Sequence, residues 1–199
     1  MDSTEAEMRW QVSMSLAFGA RGILYFYYTQ NVHKVAQDGP EWPGIVMGDG
    51  DANRPTEHWY QARRLNSAVL VLAPTMMSLR STAAIVLRET GTKWDDEGHP
   101  VLHDAGCGLR NISRGDFVVG CFVRSVPVSG SWSRAVMVAN FYADATQWPT
   151  IELDVSVALE VDQHSGLVVP LMDEVAGLPG MQVGLLAGGR RLFLLGDAQ

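Results

Sequence analysis

The sequence predicts an α/β segment followed by an all-β domain. Three observations predict it. A capped helix near the N-terminus runs straight into a continuous apolar stretch, ILYFYY at 23–28; a second amphipathic helix follows Pro55; and short β-rich runs recur after Pro74. The expected division places a helix–strand–loop–helix segment at 1–75 and an antiparallel β-sandwich at 76–199.

Thr4 and Glu7 form the Ser/Thr-x-x-Glu signature of a capping box, in which each residue satisfies a free amide of the other. Met8, Val12 and Leu16 then fall at helical spacing, Ser15 and Gly19 permit close approach to a neighbour, and Gly19 and Gly22 bracket the stop. ILYFYY is apolar and aromatic without polar alternation, as in parallel strands covered on both faces. A helix leading into a strand, with no strand before it, reads as a late unit of a larger α/β architecture. The chain is then either the tail of a bigger enzyme or a protein that folds on half a framework.

Residues 29–55 read as a long loop with turn signals at Gly39-Pro40, Pro43-Gly44 and Gly48–Asp51. A loop of that length in a compact domain is functional or disordered. The second helix begins at Pro55-Thr56, buries Trp59, Ala62, Leu65, Ala68, Val69 and Leu72, and ends at Pro74, which cannot donate to the helical ladder. Beyond it, TAAIVL, DFVVGCFV, RAVMVANFY, TIELDVSVALEVD, GLVVPL and RLFLL are separated by Gly, Pro, Ser and Asp at sandwich-like intervals. IELDVSVALEV alternates over part of its length, as a half-buried antiparallel strand does.

Composition bounds the function. In 199 residues, 47% hydrophobic and 19% charged content is globular, and the net charge of −7 with no Lys/Arg stripe argues against a nucleic-acid partner. No apolar run approaches the roughly 20 residues that span a bilayer, and the polar N-terminus is not a signal peptide, so the expected location is cytoplasmic or open. Cys107 and Cys121 are 14 positions apart. They read as a disulfide or as two partly buried thiols, the thiols being the favoured reading. No CxxC, HExxH, G-x-S-x-G, phosphate loop or dinucleotide fingerprint occurs, and neither a metal nor a cofactor is expected.

EMRWQVSMSLAFGARGILYFYY resembles the seventh helix and eighth strand of (β/α)8-barrel glycoside hydrolases of the β-galactosidase type. PGIVMGDGDANRPTEHWYQARRLNSAVLVLAP is similar to their following loop and eighth helix, where a G-(I/L)-(V/M)-x-x-D-G-x-P-T-x-x-Y pattern leads into RxLN. GDFVVGCFV, RAVMVANFY, VSVALEVDQHSGLVV and GGRRLFLL resemble the small all-β domain behind the barrel. The resemblance implies a partial barrel remnant followed by a sandwich. It also implies activity on β-linked sugars. The acid/base and nucleophile of those enzymes sit at the ends of the fourth and seventh strands, upstream of Met1, so neither role carries over. What carries over is the sugar-site wall after the last strand, here Tyr27, Tyr28 and Trp42.

Glycoside hydrolysis needs two carboxyl groups, one of them kept protonated. The loop after ILYFYY offers Asp38, Glu41, Asp49 and Asp51, and barrel active sites gather at such strand ends. Glu41, Asp49 and Asp51 are therefore the candidate catalytic residues, with Trp42 beside Glu41 to stack on a sugar and desolvate the carboxyl. The same acids also read as the solvated surface of a long loop. Asp49-Gly50-Asp51 starts like a calcium loop but departs at Arg54 and Tyr60, which makes it a turn. Trp94–His99 combines an aromatic, three acids and an imidazole, which suits a sugar or acid/base site, but the hairpin turn is the favoured reading. Glu57 suits the positive end of the second helix, with Trp59 and Tyr60 as packing residues.

Three readings compete: a carbohydrate-active enzyme of the glycoside hydrolase type, a non-catalytic carbohydrate-binding or structural fragment, and a marginally folded gene fragment with no function of its own. Open strand edges imply a homo-oligomer that covers them, and a mono- or oligosaccharide is the expected small-molecule partner.

Overall fold

The computed structural model describes residues 3–26, 28–31, 44–48, 53–90, 107–125, 132–155, 157–171 and 180–196. Helix α1 spans Glu5–Ala17. Its start is the capping box read from the sequence: the Glu7 amide donates to Thr4 Oγ1 at 3.2 Å and the Thr4 amide to Glu7 Oε2 at 2.7 Å. Gly19, at φ 92°, turns the chain away in a conformation that residues with a Cβ rarely adopt.

Residues 23–28 are not the buried strand expected of them. The described members run as irregular backbone, with Leu24, Phe26 and Tyr28 exposed at 96%, 86% and 61%. A strand must pair along its edges and cover its faces, and among the described residues no strand pairs with this stretch. Pairing starts only with β1 (Thr29–Asn31), which lies parallel to β2 (Val46–Gly48); β3 (Arg54–Pro55) closes a small antiparallel hairpin on β2.

Helix α2 spans Glu57–Met77 and buries Ala62, Leu65 and Leu72, with Trp59, Ala68 and Val69 partly covered and Tyr60 exposed. Pro74 lies inside it and does not end it. The ring removes one helical hydrogen bond near the C-terminus, while Val69, Leu72 and Met76 pack on the core from both sides of it. Tertiary packing holds the last turn. Ser78 then closes the helix, its amide and hydroxyl both donating to the Thr75 carbonyl, at 3.0 and 2.7 Å.

The rest is mostly antiparallel sheet. The remaining strands are β4 (Leu79–Leu87), β5 (Leu109–Ile112), β6 (Phe117–Arg124), β7 (Arg134–Asn140), β8 (Thr150–Leu153), β9 (Val157–Val161), β10 (Val168–Pro170), β11 (Met181–Gln182) and β12 (Arg190–Gly196). They form a six-stranded sheet, ordered β10-β9-β12-β7-β6-β4, and a three-stranded sheet, β11-β8-β5. The expected single strand IELDVSVALEV is two: β8 belongs to the small sheet and β9 to the large one. The chain changes layer at Asp154-Val155, where the Asp154 amide donates to the Gly108 carbonyl at 2.8 Å.

The large sheet is covered on both faces. On one side Val118, Phe122, Met137, Leu192 and Leu194 meet Val12, Leu16 and Ala17 of α1 and Leu72 of α2. On the other, Val119, Val136, Val138, Phe193 and Leu195 meet Ile112, Ile151, Val183 and Leu185 of the small-sheet layer. The helices therefore share a core with the sandwich. Cys107 and Cys121 are both buried and disulfide-bonded, with Cα atoms 5.1 Å apart. The expected free thiols are replaced by a bond from just before β5 to the middle of β6, tying the two layers together.

Candidate functional site

Helix α1 presents Met8, Gln11, Val12 and Ser15, an i, i+3, i+4, i+7 stripe, to the backbone of 20–26. Between them runs a groove of about 440 Å³, closed by Ile23, Tyr25, Phe26, Ile45 and His58. Met8 and Ile45 of its lining belong to a buried cluster with Val46, Ala62 and Leu65, against which Tyr25 and Trp59 pack.

Tyr25 is the side chain most firmly positioned. Its hydroxyl donates to Asn66 Oδ1 of α2 at 2.9 Å, and burial pushes its pKa up from the ordinary phenol value. His58 Nε2 meets the Ser3 carbonyl at 3.0 Å and fastens the chain ahead of α1 across the first turn of α2. The Ser15 hydroxyl is engaged by the Gln11 carbonyl at 2.8 Å. Gln11 is exposed. The groove thus joins aromatic surface to hydrogen-bonding groups, and no carboxylate lines it among the described residues.

The candidates read from the sequence lie largely elsewhere. Glu41, Asp49, Asp51, Tyr27 and Trp42 fall outside the described residues, as does the acidic stretch 94–99. Tyr28 is described; its carbonyl accepts from the Val46 amide at 2.8 Å, and it does not line the groove. Sequence reasoning missed Tyr25, Phe26, Gln11, Ser15 and His58. The available signal was the polar pair Gln11 and Ser15 set into the apolar stripe of α1. Among the described residues no group of three or more His, Cys, Asp or Glu is arranged to hold a metal, and no helix is long and apolar enough to cross a membrane.

Elsewhere in the sandwich, polar burial is structural. Asp116 accepts from Arg88 Nε at 2.8 Å and the Tyr142 hydroxyl at 3.0 Å, and also from the Glu89 amide. Asn140 Nδ2 donates to the carbonyls of Ala145, Leu185 and Leu186. These groups clamp the 141–147 turn, and their hydrogen-bonding capacity is spent there.

Comparison with family models, with curated proteins and with solved structures finds no match to this chain.

Proposed function

We propose that this chain binds carbohydrate through the groove between α1 and residues 20–26. One observation carries the reading: Tyr25 and Phe26 supply aromatic surface beside Gln11, Ser15 and His58 in a groove of about 440 Å³. That volume falls in the range of small-molecule sites, about 300–1,000 Å³. A sugar ring has an apolar face suited to an aromatic and a hydroxyl rim suited to neutral donors and acceptors. The resemblance of the two helices and the sandwich runs to the last elements of a glycoside hydrolase barrel adds to the reading, although three short strands separate the helices and 23–28 is not the strand that the resemblance implies. The test is titration calorimetry with a panel of β-linked mono- and disaccharides, on the native chain and on Phe26→Ala. Phe26 is 86% exposed, so its truncation spares the core. Binding that weakens about tenfold in the variant with unchanged melting supports the reading. No saccharide binding at millimolar concentration overturns it.

Hydrolysis of β-linked sugars by Glu41, Asp49 and Asp51 is the second reading. Its support is connectivity: Ile45, four positions after Glu41, helps wall the groove, and Asp49 directly follows β2. Binding ranks ahead because the described lining holds no carboxylate. Aryl-glycoside assays on Glu41→Gln, Asp49→Asn and Asp51→Asn separate the two, and turnover indifferent to all three substitutions defeats the catalytic assignment.

Self-association belongs to the same proposal. Among the described residues β1 is an edge strand, and Leu24, Phe26 and Tyr28 beside it are wet; such an edge invites a further chain. Light scattering that gives a monomer at micromolar concentration removes this part. The location read from the sequence, cytoplasmic or open, rested on the polar N-terminus. The disulfide favours an oxidising compartment instead.

A further inference from the structure

A second groove, of about 650 Å³, lies between α1, α2 and the ends of β9 and β12, away from the aromatic one. Four arginines and three acidic residues line it: Arg9, Arg64, Arg190 and Arg191, with Glu5, Glu160 and Asp162. Each carboxylate is occupied. Arg64 holds Glu5 at 2.7 Å, with Arg9 at 3.5 Å from the same group. Arg191 holds Glu160 through Nε and Nη2. Asp162 accepts from the Ser165 amide and hydroxyl at 2.7 and 2.6 Å within its own turn.

Arg190 is left over. It opens β12 on the helix side of the sheet, the side of Leu192 and Leu194, and is 5% exposed. Nη1 donates to Ser13 Oγ at 3.0 Å, and that hydroxyl donates onward to the Gly188 carbonyl at 2.7 Å. Nε is buried without a hydrogen-bond partner, and no acidic side chain meets the guanidinium among the described residues. Burial, and then the nearby Arg9 charge, push its pKa down to about 10. A buried cation without a counter-ion is strongly unfavourable unless something supplies one.

We propose that this groove binds a small organic monocarboxylate, whose anionic group pairs with Arg190 and is flanked by Arg9. The surplus is one positive charge, which matches a monoanion; a phosphate dianion would bring excess negative charge beside Glu5, Glu160 and Asp162. Guanidinium–carboxylate pairs are also the strong form of hydrogen bond. Leu65, Ala68, Val71 and Leu186 line the same groove and give an apolar wall for the rest of the molecule.

The test is calorimetry and thermal shift with acetate, glucuronate, glucose and inorganic phosphate on the native chain, Arg190→Met and Arg9→Gln. Glucuronate is expected to bind the native chain and raise its melting temperature, more strongly than acetate, with phosphate weaker than glucuronate. Arg190→Met is expected to lose that binding by about 100-fold while melting higher than the native chain without ligand, because the unpaired buried charge is gone. A purely structural arginine would move melting in the opposite direction. Should Arg190→Met fail to fold, Arg9→Gln carries the test, with about tenfold weaker glucuronate binding expected. The proposal is overturned by no carboxylate binding at millimolar concentration, by phosphate binding tighter than glucuronate, or by affinity unchanged in a folded variant.

Discussion

Gly120 of β6 faces the carbonyl of Ala17, the last residue of α1, with no room for a side chain between them. The Phe122 ring closes the same space. The helix therefore seats on the sheet at a backbone-to-backbone approach, and a methyl group there must displace one of them. Gly120→Ala is expected to destabilise by about 1–3 kcal/mol through overpacking. Urea unfolding checks this; an unchanged midpoint would mean that α1 does not dock here.

The start of α1 sets an acid-side dependence. Arg64 lowers the Glu5 carboxyl pKa, and hydrogen bonds from the Thr4 backbone and side chain lower that of Glu7. Folded values below the unfolded ones mean stability that is present above about pH 4.5 and lost as pH falls through the folded values. Arg64→Gln is expected to flatten that acid limb in urea titrations at pH 2–6. Thr4→Ala is expected to cost about 1 kcal/mol at neutral pH.

Arg190 acts at the other end of the scale. Its folded pKa, about 10, lies below that of a free arginine. Between those values the unfolded chain keeps a proton that the folded chain has lost, so stability attributable to this residue rises with pH. The burial penalty is full below pH 10. Arg190→Met should thus exceed the native chain by about 3 kcal/mol at pH 7–9, the gap narrowing above pH 10. A gap independent of pH up to 12 would show that the guanidinium is not desolvated.

The disulfide closes a short loop across two sheets. For a loop of about 15 residues the chain-entropy effect is about 3 kcal/mol. The double variant Cys107→Ser, Cys121→Ser should lose about that much in guanidinium unfolding, and the native chain should show the same loss with added reductant. A reductant-insensitive midpoint would contradict the bond.

Asp116 clamps the 141–147 turn through Arg88, Tyr142 and the Glu89 amide. Asp116→Ala leaves the Tyr142 hydroxyl and the Glu89 amide without this acceptor and should cost about 3 kcal/mol. Amide exchange in the 141–147 turn should speed up ahead of the central strands.

Local chemistry was legible in the residues themselves. The Thr4–Glu7 capping box, the buried faces of both helices and the runs that became β4, β6, β7, β10 and β12 follow from short-range spacing, which acts the same way in any context. Longer-range outcomes were not. ILYFYY has strand composition, yet pairing needs a neighbour that composition does not supply. Pro74 marks a break by local rules, while Leu72 and Met76 packing on the sheet keeps the helix intact. IELDVSVALEV alternates as one strand, but two layers claim its halves.

The candidate site divides in the same way. Gln11 and Ser15 could be read off the α1 stripe, but their meeting with Tyr25 and Phe26 depends on how the chain returns after Gly19. Arg190 and Arg191 form a plain basic doublet in sequence. Strand geometry sends them to opposite sides of β12: Arg191 meets Glu160, and Arg190 goes under α1 to Ser13. By itself the sequence determined the capped start of α1, the bodies of both helices and the runs that became β4, β6, β7, β10 and β12, because propensity, capping and hydrophobic period act over a few residues. Only the tertiary structure decided which charges found partners and which aromatics stayed wet, because burial and pairing depend on residues as far apart in the chain as Ser13 and Arg190.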